Sequence, residues 1–167
     1  MNLYLNADCM NPETGLPSYP DNYFDLAIVD PPYGLGSRLI EGGKKGGMGS
    51  LGRLDDGKVE RWDSIPNVAY FYQLKRVSKN QIIWGGNYFT DLVPPTMGWL
   101  IWDKGQREFS LADCEMAWTS RQKAARVITY SRGAAMKDGK EHPTQKPIAV
   151  MVWTMEKACE DAKVVLD

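Results

Sequence analysis

The sequence predicts an α/β fold in which strands alternate with helices around one sheet, and three observations predict it. A nearly continuous apolar run, Phe24 to Asp30 (FDLAIVD), ends at Pro31 and Pro32, as a strand buried on both faces would. Val68 to Val77 (VAYFYQLKRV) carries apolar residues at helical spacing, and a second apolar run, Gln81 to Trp84, follows and stops at Gly85 and Gly86. Pro147 then opens a helical stretch from Ile148 to about Cys159, where its missing N–H does no harm, and Lys163 to Leu166 (KVVL) follows as a strand. Alternation of this kind builds a sheet with ligands at the carboxyl ends of its strands.

The remaining elements follow in order. Leu3 to Ala7 is a short β-prone run and predicts a first strand. Glu41 to Gly57 is rich in glycine and carries Lys44, Lys45 and Arg53; it holds too little apolar surface to order itself, which predicts a mobile loop over 35–61. Trp99 to Trp102 (WLIW) predicts a further strand, and Glu115 to Thr119 (EMAWT) a weaker one. Between that strand and Pro147 lie Arg121, Lys123, Arg126, Arg132, Lys137 and Lys140, with Tyr130 among them. This cluster reads either as a solvated charged surface or, with Lys44, Lys45 and Arg53, as two basic banks of a nucleic-acid groove.

Bulk properties bound the function classes. The 167 residues fit one domain, 1–167, and the net charge of -1 excludes a wholly basic nucleic-acid binder while permitting a basic face. The cysteines Cys9, Cys114 and Cys159 are scattered and odd in number, so neither a disulfide framework nor a zinc site is expected, and a reducing cytoplasm is the default. The start, MNLYLNADCM, has no basic region leading into an apolar run, and no apolar run reaches the ~18 residues that span a bilayer. The expectation is a cytoplasmic protein with no membrane partner and no metal.

The chemistry concentrates at Asp30-Pro31-Pro32-Tyr33, placed by the preceding strand at the carboxyl edge of the sheet. Asp30 is an acceptor when ionised, suited to an exocyclic NH2. Pro31 adds a carbonyl acceptor, the two prolines fix the backbone, and Tyr33 offers an aromatic face worth ~1–3 kcal/mol to a stacked base. The plainer alternative is a strand end followed by a proline turn, with Asp30 capping nearby amides.

NADCM (Asn6 to Met10), YFDLAIVDPPYG (Tyr23 to Gly34), QIIWGGNYF (Gln81 to Phe89), WDKG (Trp102 to Gly105), CEMAWTS (Cys114 to Ser120) and HPTQKP (His142 to Pro147) follow one another along nearly the whole chain. In that order and rough spacing the sequence resembles the DNA adenine-N6 and cytosine-N4 methyltransferases, in the permuted arrangement where the catalytic motif precedes the cofactor loop. The resemblance implies a Rossmann-like sheet, S-adenosyl-L-methionine as cofactor and DNA as partner, with the target base flipped out of the duplex. The Asp of DPPY leans towards adenine; cytosine-N4 is the alternative. Asp30, Pro31, Pro32 and Tyr33 would then hold the base. Asp8 and Cys9 would face the cofactor's adenine ring, Thr144 and Lys146 would lie near its methionine end, and Asp167 would close the last strand beside it. His142 is read as structural.

The sequence departs from that family after Asp167, where a glycine turn, a helix and an acidic ribose ligand would follow. From this departure weak cofactor binding and weak or absent methyl transfer are expected, together with self-association through an open sheet edge. A non-catalytic nucleic-acid-binding remnant is the rival reading. RNA or a protein amide is a third class of substrate, and the usual Asn of the protein-glutamine enzymes, absent at Asp30, counts against the latter.

Overall fold

The computed structural model describes residues 4–35, 63–107, 112–137, 145–158 and 161–167. Among them run β1 (Leu26–Val29), α1 (Val68–Val77), β2 (Gln81–Trp84), β3 (Trp99–Asp103), β4 (Cys114–Thr119), β5 (Arg126–Thr129), α2 (Arg132–Lys137), α3 (Ile148–Ala158) and β6 (Val165–Leu166). The six strands form one mixed sheet in the order β5-β3-β4-β2-β1-β6. β1 is parallel to both its neighbours, β2 and β6, whereas β4 runs antiparallel to β2 and to β3. The fold is therefore α/β.

β1 explains the apolar run that foretold it. Leu26 and Ile28 face one core with Ile82, Trp84, Leu100, Trp102 and Val150. Ala27 and Val29 face the other with Phe71, Leu74, Val77, Ile83 and Trp118. α1 thus covers one face while α2 and α3 cover the other, so all four residues of β1 and of β2 are buried. A strand covered on both faces has no position left for a polar side chain, which is why it reads as continuous rather than alternating. Each large side chain here, such as Phe71 or Leu74, contributes about 1.5–3 kcal/mol by leaving water.

α1 starts where its cap dictates. The Asn67 side chain accepts from the Tyr70 N–H and satisfies one of the otherwise orphaned donors of the first turn. At the other end Arg76 is drawn back across the chain, donating to Asp21 Oδ1 at 2.6 Å and to the Tyr19 carbonyl at 2.9 Å. This clamp fastens the segment before β1 onto the helix.

Two expectations need correction. Tyr4 to Ala7, the described part of the expected first strand, forms no strand, and Tyr4 is 87% exposed. A β-prone run becomes a strand only when a neighbour takes its backbone groups, and none of the described strands pairs with it. Conversely β5 and α2 form where only a charged cluster was read. β5 pairs in parallel with β3 from Leu100↔Arg126 to Asp103↔Thr129, although three of its four residues are exposed. Its pairing comes from the β3 edge and not from a buried face, so it carries no periodic apolar signal. Of the loop expected over 35–61, residues 36–61 lie outside the described residues.

Candidate functional site

At the carboxyl ends of the parallel strands β1 and β6 the sheet opens into a cleft of about 500 Å³. This is the crevice that α/β sheets offer where connections leave in opposite directions: α1 leads to β2 on one side of β1, and α3 leads to β6 on the other. Asp30, Pro31 and Pro32 line it from β1, Leu166 and Asp167 from β6, Pro66, Asn67 and Tyr70 from the start of α1. Its third wall is the turn after the N-terminal segment, through Cys9, Met10 and Leu16. That turn is built locally: the Asp8 Oδ1 accepts from the Met10 N–H at 2.9 Å, and the Leu16 N–H donates to the Cys9 carbonyl at 2.7 Å.

Asp30 is held at both oxygens. Tyr33 donates its hydroxyl to Oδ1 at 2.6 Å, and Lys146 donates Nζ to Oδ2 at 2.6 Å. Lys146 also reaches the Tyr33 hydroxyl at 3.2 Å and lies 3.4 Å from Glu115 Oε2. Its ammonium stands 5.0 Å from the Trp84 ring centroid, and the side chain is 6% exposed. A carboxylate has about four lone-pair directions, so each Asp30 oxygen can still accept a further donor from the cleft. Burial, reinforced by the Asp30 charge, pushes the Tyr33 hydroxyl far above its ordinary range, so it serves as a donor at all ordinary pH. Burial also pushes up the Asp167 carboxyl, with Asp30 adding to the effect. Burial, and then the Asp8 charge, likewise raises the Cys9 thiol and disfavours a thiolate there.

Tyr33 is itself sandwiched into the structure. Its ring stacks on Tyr88 with centroids 5.0 Å apart and planes 20° from parallel, and Phe89 meets it at 6.1 Å. It also lies over Gly85, which has φ of 68°; a Cβ there would overlap the ring. The more exposed aromatic of the stack is Tyr88.

No family model, curated protein or solved structure matches the chain. The placement of the expected site residues therefore rests on geometry alone. Asp30, Pro31, Pro32, Cys9 and Asp167 share one cleft wall to wall. Asp8 does not line it; its Oδ1 accepts from the Met10 N–H within the neighbouring turn. Lys146 does not line it either: its ammonium lies between Asp30 Oδ2, at 2.6 Å, and Glu115 Oε2, at 3.4 Å. Tyr33, expected to offer an aromatic face, has its ring stacked on Tyr88. Arg121, Lys123, Arg126 and Arg132 fall on and around β5 and the start of α2, away from the cleft lining. Thr144, His142, Lys44, Lys45 and Arg53 lie outside the described residues.

Glu115, Lys104 and Tyr88 were not read as site residues from the sequence. Glu115 had a signal: it is the one charged residue within the strand CEMAWT, where burial of a carboxylate needs a partner. Tyr88 had none, because its position depends on the left-handed turn at Gly85.

Proposed function

We propose that this chain is a DNA amino-methyltransferase domain that transfers a methyl group from S-adenosyl-L-methionine to the exocyclic N6 of adenine. The observation that carries the reading is the Asp30 carboxylate, fixed by Tyr33 and Lys146 at the mouth of a cleft of about 500 Å³ at the carboxyl edge of a parallel strand pair. The order of motifs along the chain supports it.

The cleft suits the cofactor's cationic and apolar parts. Its volume lies within the ~300–1,000 Å³ typical of small-molecule sites. Apolar walls from Leu16, Val29, Pro66, Leu74 and Leu166 accompany two carboxylates, Asp30 and Asp167, facing a ligand that carries a sulfonium and an ammonium. When bound there, S-adenosylmethionine supplies a methyl group on a cationic sulfur. Asp167 and the Cys9–Met10 turn would hold it, with Asp30 at the boundary between cofactor and base.

The protein's part is to raise the nucleophilicity of the target nitrogen. The amino lone pair of adenine is delocalised into the ring. Hydrogen bonds from its two N–H groups to the Asp30 carboxylate and the Pro31 carbonyl would favour a more tetrahedral, more nucleophilic nitrogen, to which the cofactor held in the cleft would supply its methyl group. The Asp30 carboxylate would stabilise the positive charge that develops on nitrogen and take up the nitrogen proton after transfer, passing it to solvent at the cleft mouth. The base reaches this position only out of the duplex, at a cost of about a few kcal/mol of unstacking. The Tyr33–Tyr88 stack offers an aromatic surface beside Asp30 that repays part of that cost.

Incubation with methyl-labelled S-adenosylmethionine and duplex DNA, followed by nucleoside analysis, tests the reading. N6-methyladenine is the expected product, and Asp30→Ala should lower the rate by about a hundredfold or more, as loss of a charge-stabilising group does. N4-methylcytosine would move the assignment to the other base. DNA binding without any methyl transfer, and without calorimetric affinity for the cofactor, would replace the enzyme by a binding module.

A further inference from the structure

Four side chains from four separate places in the chain form a line of alternating charge that ends at the cleft. Lys104, just after β3, lies 2.8 Å from Glu115 Oε1 in β4; Glu115 Oε2 lies 3.4 Å from Lys146; and Lys146 lies 2.6 Å from Asp30 Oδ2. The side chains of Lys104, Glu115 and Lys146 are 16%, 26% and 6% exposed, and that of Asp30 is 39% exposed, so the most buried charge of the line, Lys146, stands directly behind the most exposed one, Asp30, at the cleft mouth. Topology brings it about. β4 is antiparallel to β2, so its first residues reach the carboxyl edge at which the parallel strand β1 ends. The ladder with β3 then fixes Glu115 opposite Trp102, next to Lys104.

We propose that Glu115 is a positioning residue for Asp30: with Lys104 behind it, it anchors the Lys146 ammonium so that the Asp30 carboxylate is aimed into the cleft. The kinetic part of this inference rests on the methyl-transfer reading; the structural part does not. An ammonium as buried as Lys146 is costly without compensating carboxylates. Asp30 alone would compensate it by a one-to-one pair, and the ammonium could follow that carboxylate wherever it moved. Glu115, on a strand held on both sides, gives Lys146 a second and immobile partner. It also shares the positive charge, so Asp30 keeps anionic character on its cleft side. Burial pushes the Glu115 carboxyl up, but Lys146 and Lys104 outweigh it and hold the net value below the ordinary one.

Glu115→Gln leaves two cations facing each other across a neutral amide. Lys146 is then driven to the exposed side, towards Asp30 and the cleft. Competitive acetylation of the folded full chain, read by mass spectrometry with Lys79 as an exposed internal standard, should show Lys146 reacting about tenfold faster than in the wild type, the scale of a lost buried carboxylate partner. Glu115→Asp should restore part of the protection. In the methyl-transfer assay kcat should fall while KM for DNA stays within a factor of about two, since only the aim at the target base changes and the contacts to the rest of the DNA are untouched. If Glu115→Gln fails to fold, Lys104→Met with Glu115→Gln removes the facing cation as well, and a smaller acceleration, from the lost Glu115 anchor alone, is expected in that charge-balanced variant. Unchanged Lys146 reactivity in a folded Glu115→Gln or charge-balanced chain would overturn the inference. Accelerated labelling in a chain whose wild type transfers no methyl group would uphold the positioning role and count against the methyl-transfer reading instead.

Discussion

At the scale of single residues the site depends on one glycine as much as on its charges. Tyr33 can donate to Asp30 only because its ring lies directly over Gly85, at a left-handed backbone position with φ of 68°. An L side chain at such a position costs about 1–2 kcal/mol in backbone terms alone, and here the added Cβ would also drive the ring away. Gly85→Ala should therefore lower the urea midpoint by at least that backbone cost and weaken the near-ultraviolet circular dichroism of the Tyr33–Tyr88 stack. A variant with an unchanged midpoint and an unchanged aromatic spectrum would show that the turn does not support the ring. Asp30 itself illustrates a second point at this scale. A carboxylate with both oxygens already engaged is not thereby removed from chemistry, because the bonds to Tyr33 and Lys146 fix its direction and leave lone pairs for an incoming amino group.

At the scale of elements, two attachments set where the cleft walls stand. β6 is only Val165–Leu166, too short to hold itself in the sheet by ladder bonds. Asp25 supplies the anchor: its Oδ2 accepts from the N–H groups of Lys163 and Val164, both at 3.0 Å, while its Oδ1 accepts from Lys79 at 2.7 Å. The Lys79 hydrogen bond, followed by those from Val164 and Lys163, lowers the Asp25 carboxyl from 3.8 to about 2. Since the folded carboxyl titrates below the unfolded one, its stabilising contribution is complete above pH 3.8 and disappears as pH falls to about 2. Asp25→Asn should remove that part of the acid limb of the stability curve and increase amide exchange at Val165 and Leu166; equal acid sensitivity in variant and wild type would show that Asp25 does not anchor the strand. The start of α1 forms another wall, and its Asn67 cap accepts from Tyr70 at 3.1 Å. Asn67→Ala should cost about 1 kcal/mol of stability by urea unfolding.

At the scale of the whole molecule, the sheet separates its two expected functions. The cleft lies at the β1–β6 end, and the basic residues Arg121, Lys123, Arg126 and Arg132 lie around β5, at the opposite edge of the six described strands. β5 is an edge strand exposed along most of its length, with Val127 at 59%. Edges of this kind are protected in part by charge, which is the solvated-surface reading of the cluster. The DNA reading makes a separate demand. Each phosphate contact contributes about 0.9 to the slope of log affinity against log salt, so Arg121→Ala with Arg126→Ala should flatten the slope by up to about twice that. Anisotropy titrations of labelled duplex at several salt concentrations measure it, and an unaltered slope would assign these arginines to edge protection alone. Among the described residues no helix is long and apolar enough to cross a membrane.

The sequence by itself determined the elements whose burial is two-sided or whose ends are chemically marked. β1 was legible as an apolar run closed by Pro31, β2 as one closed by Gly85, and α1 as the stretch Val68 to Val77 with apolar residues at helical spacing, because each carries its pattern in its own residues. The same holds for Asp30, Pro31 and Pro32, placed at the carboxyl edge by the strand before them. Tertiary structure alone decided the rest. Leu3 to Ala7 has the composition of a strand, but Tyr4 to Ala7 takes no ladder partner; β5 has little of that composition, yet pairs with β3 because β3 presents an open side. Strand formation is a property of pairs, and a single chain segment does not report its partner. Lys146 was legible as a cation before a helix, but its direction was not, since that depends on Glu115, brought to the same edge by an antiparallel strand. Charges act over a few ångströms in space, and Lys146 is 116 positions along the chain from the carboxylate it holds. That is why the site's acceptor was visible in the sequence and the network that aims it was not.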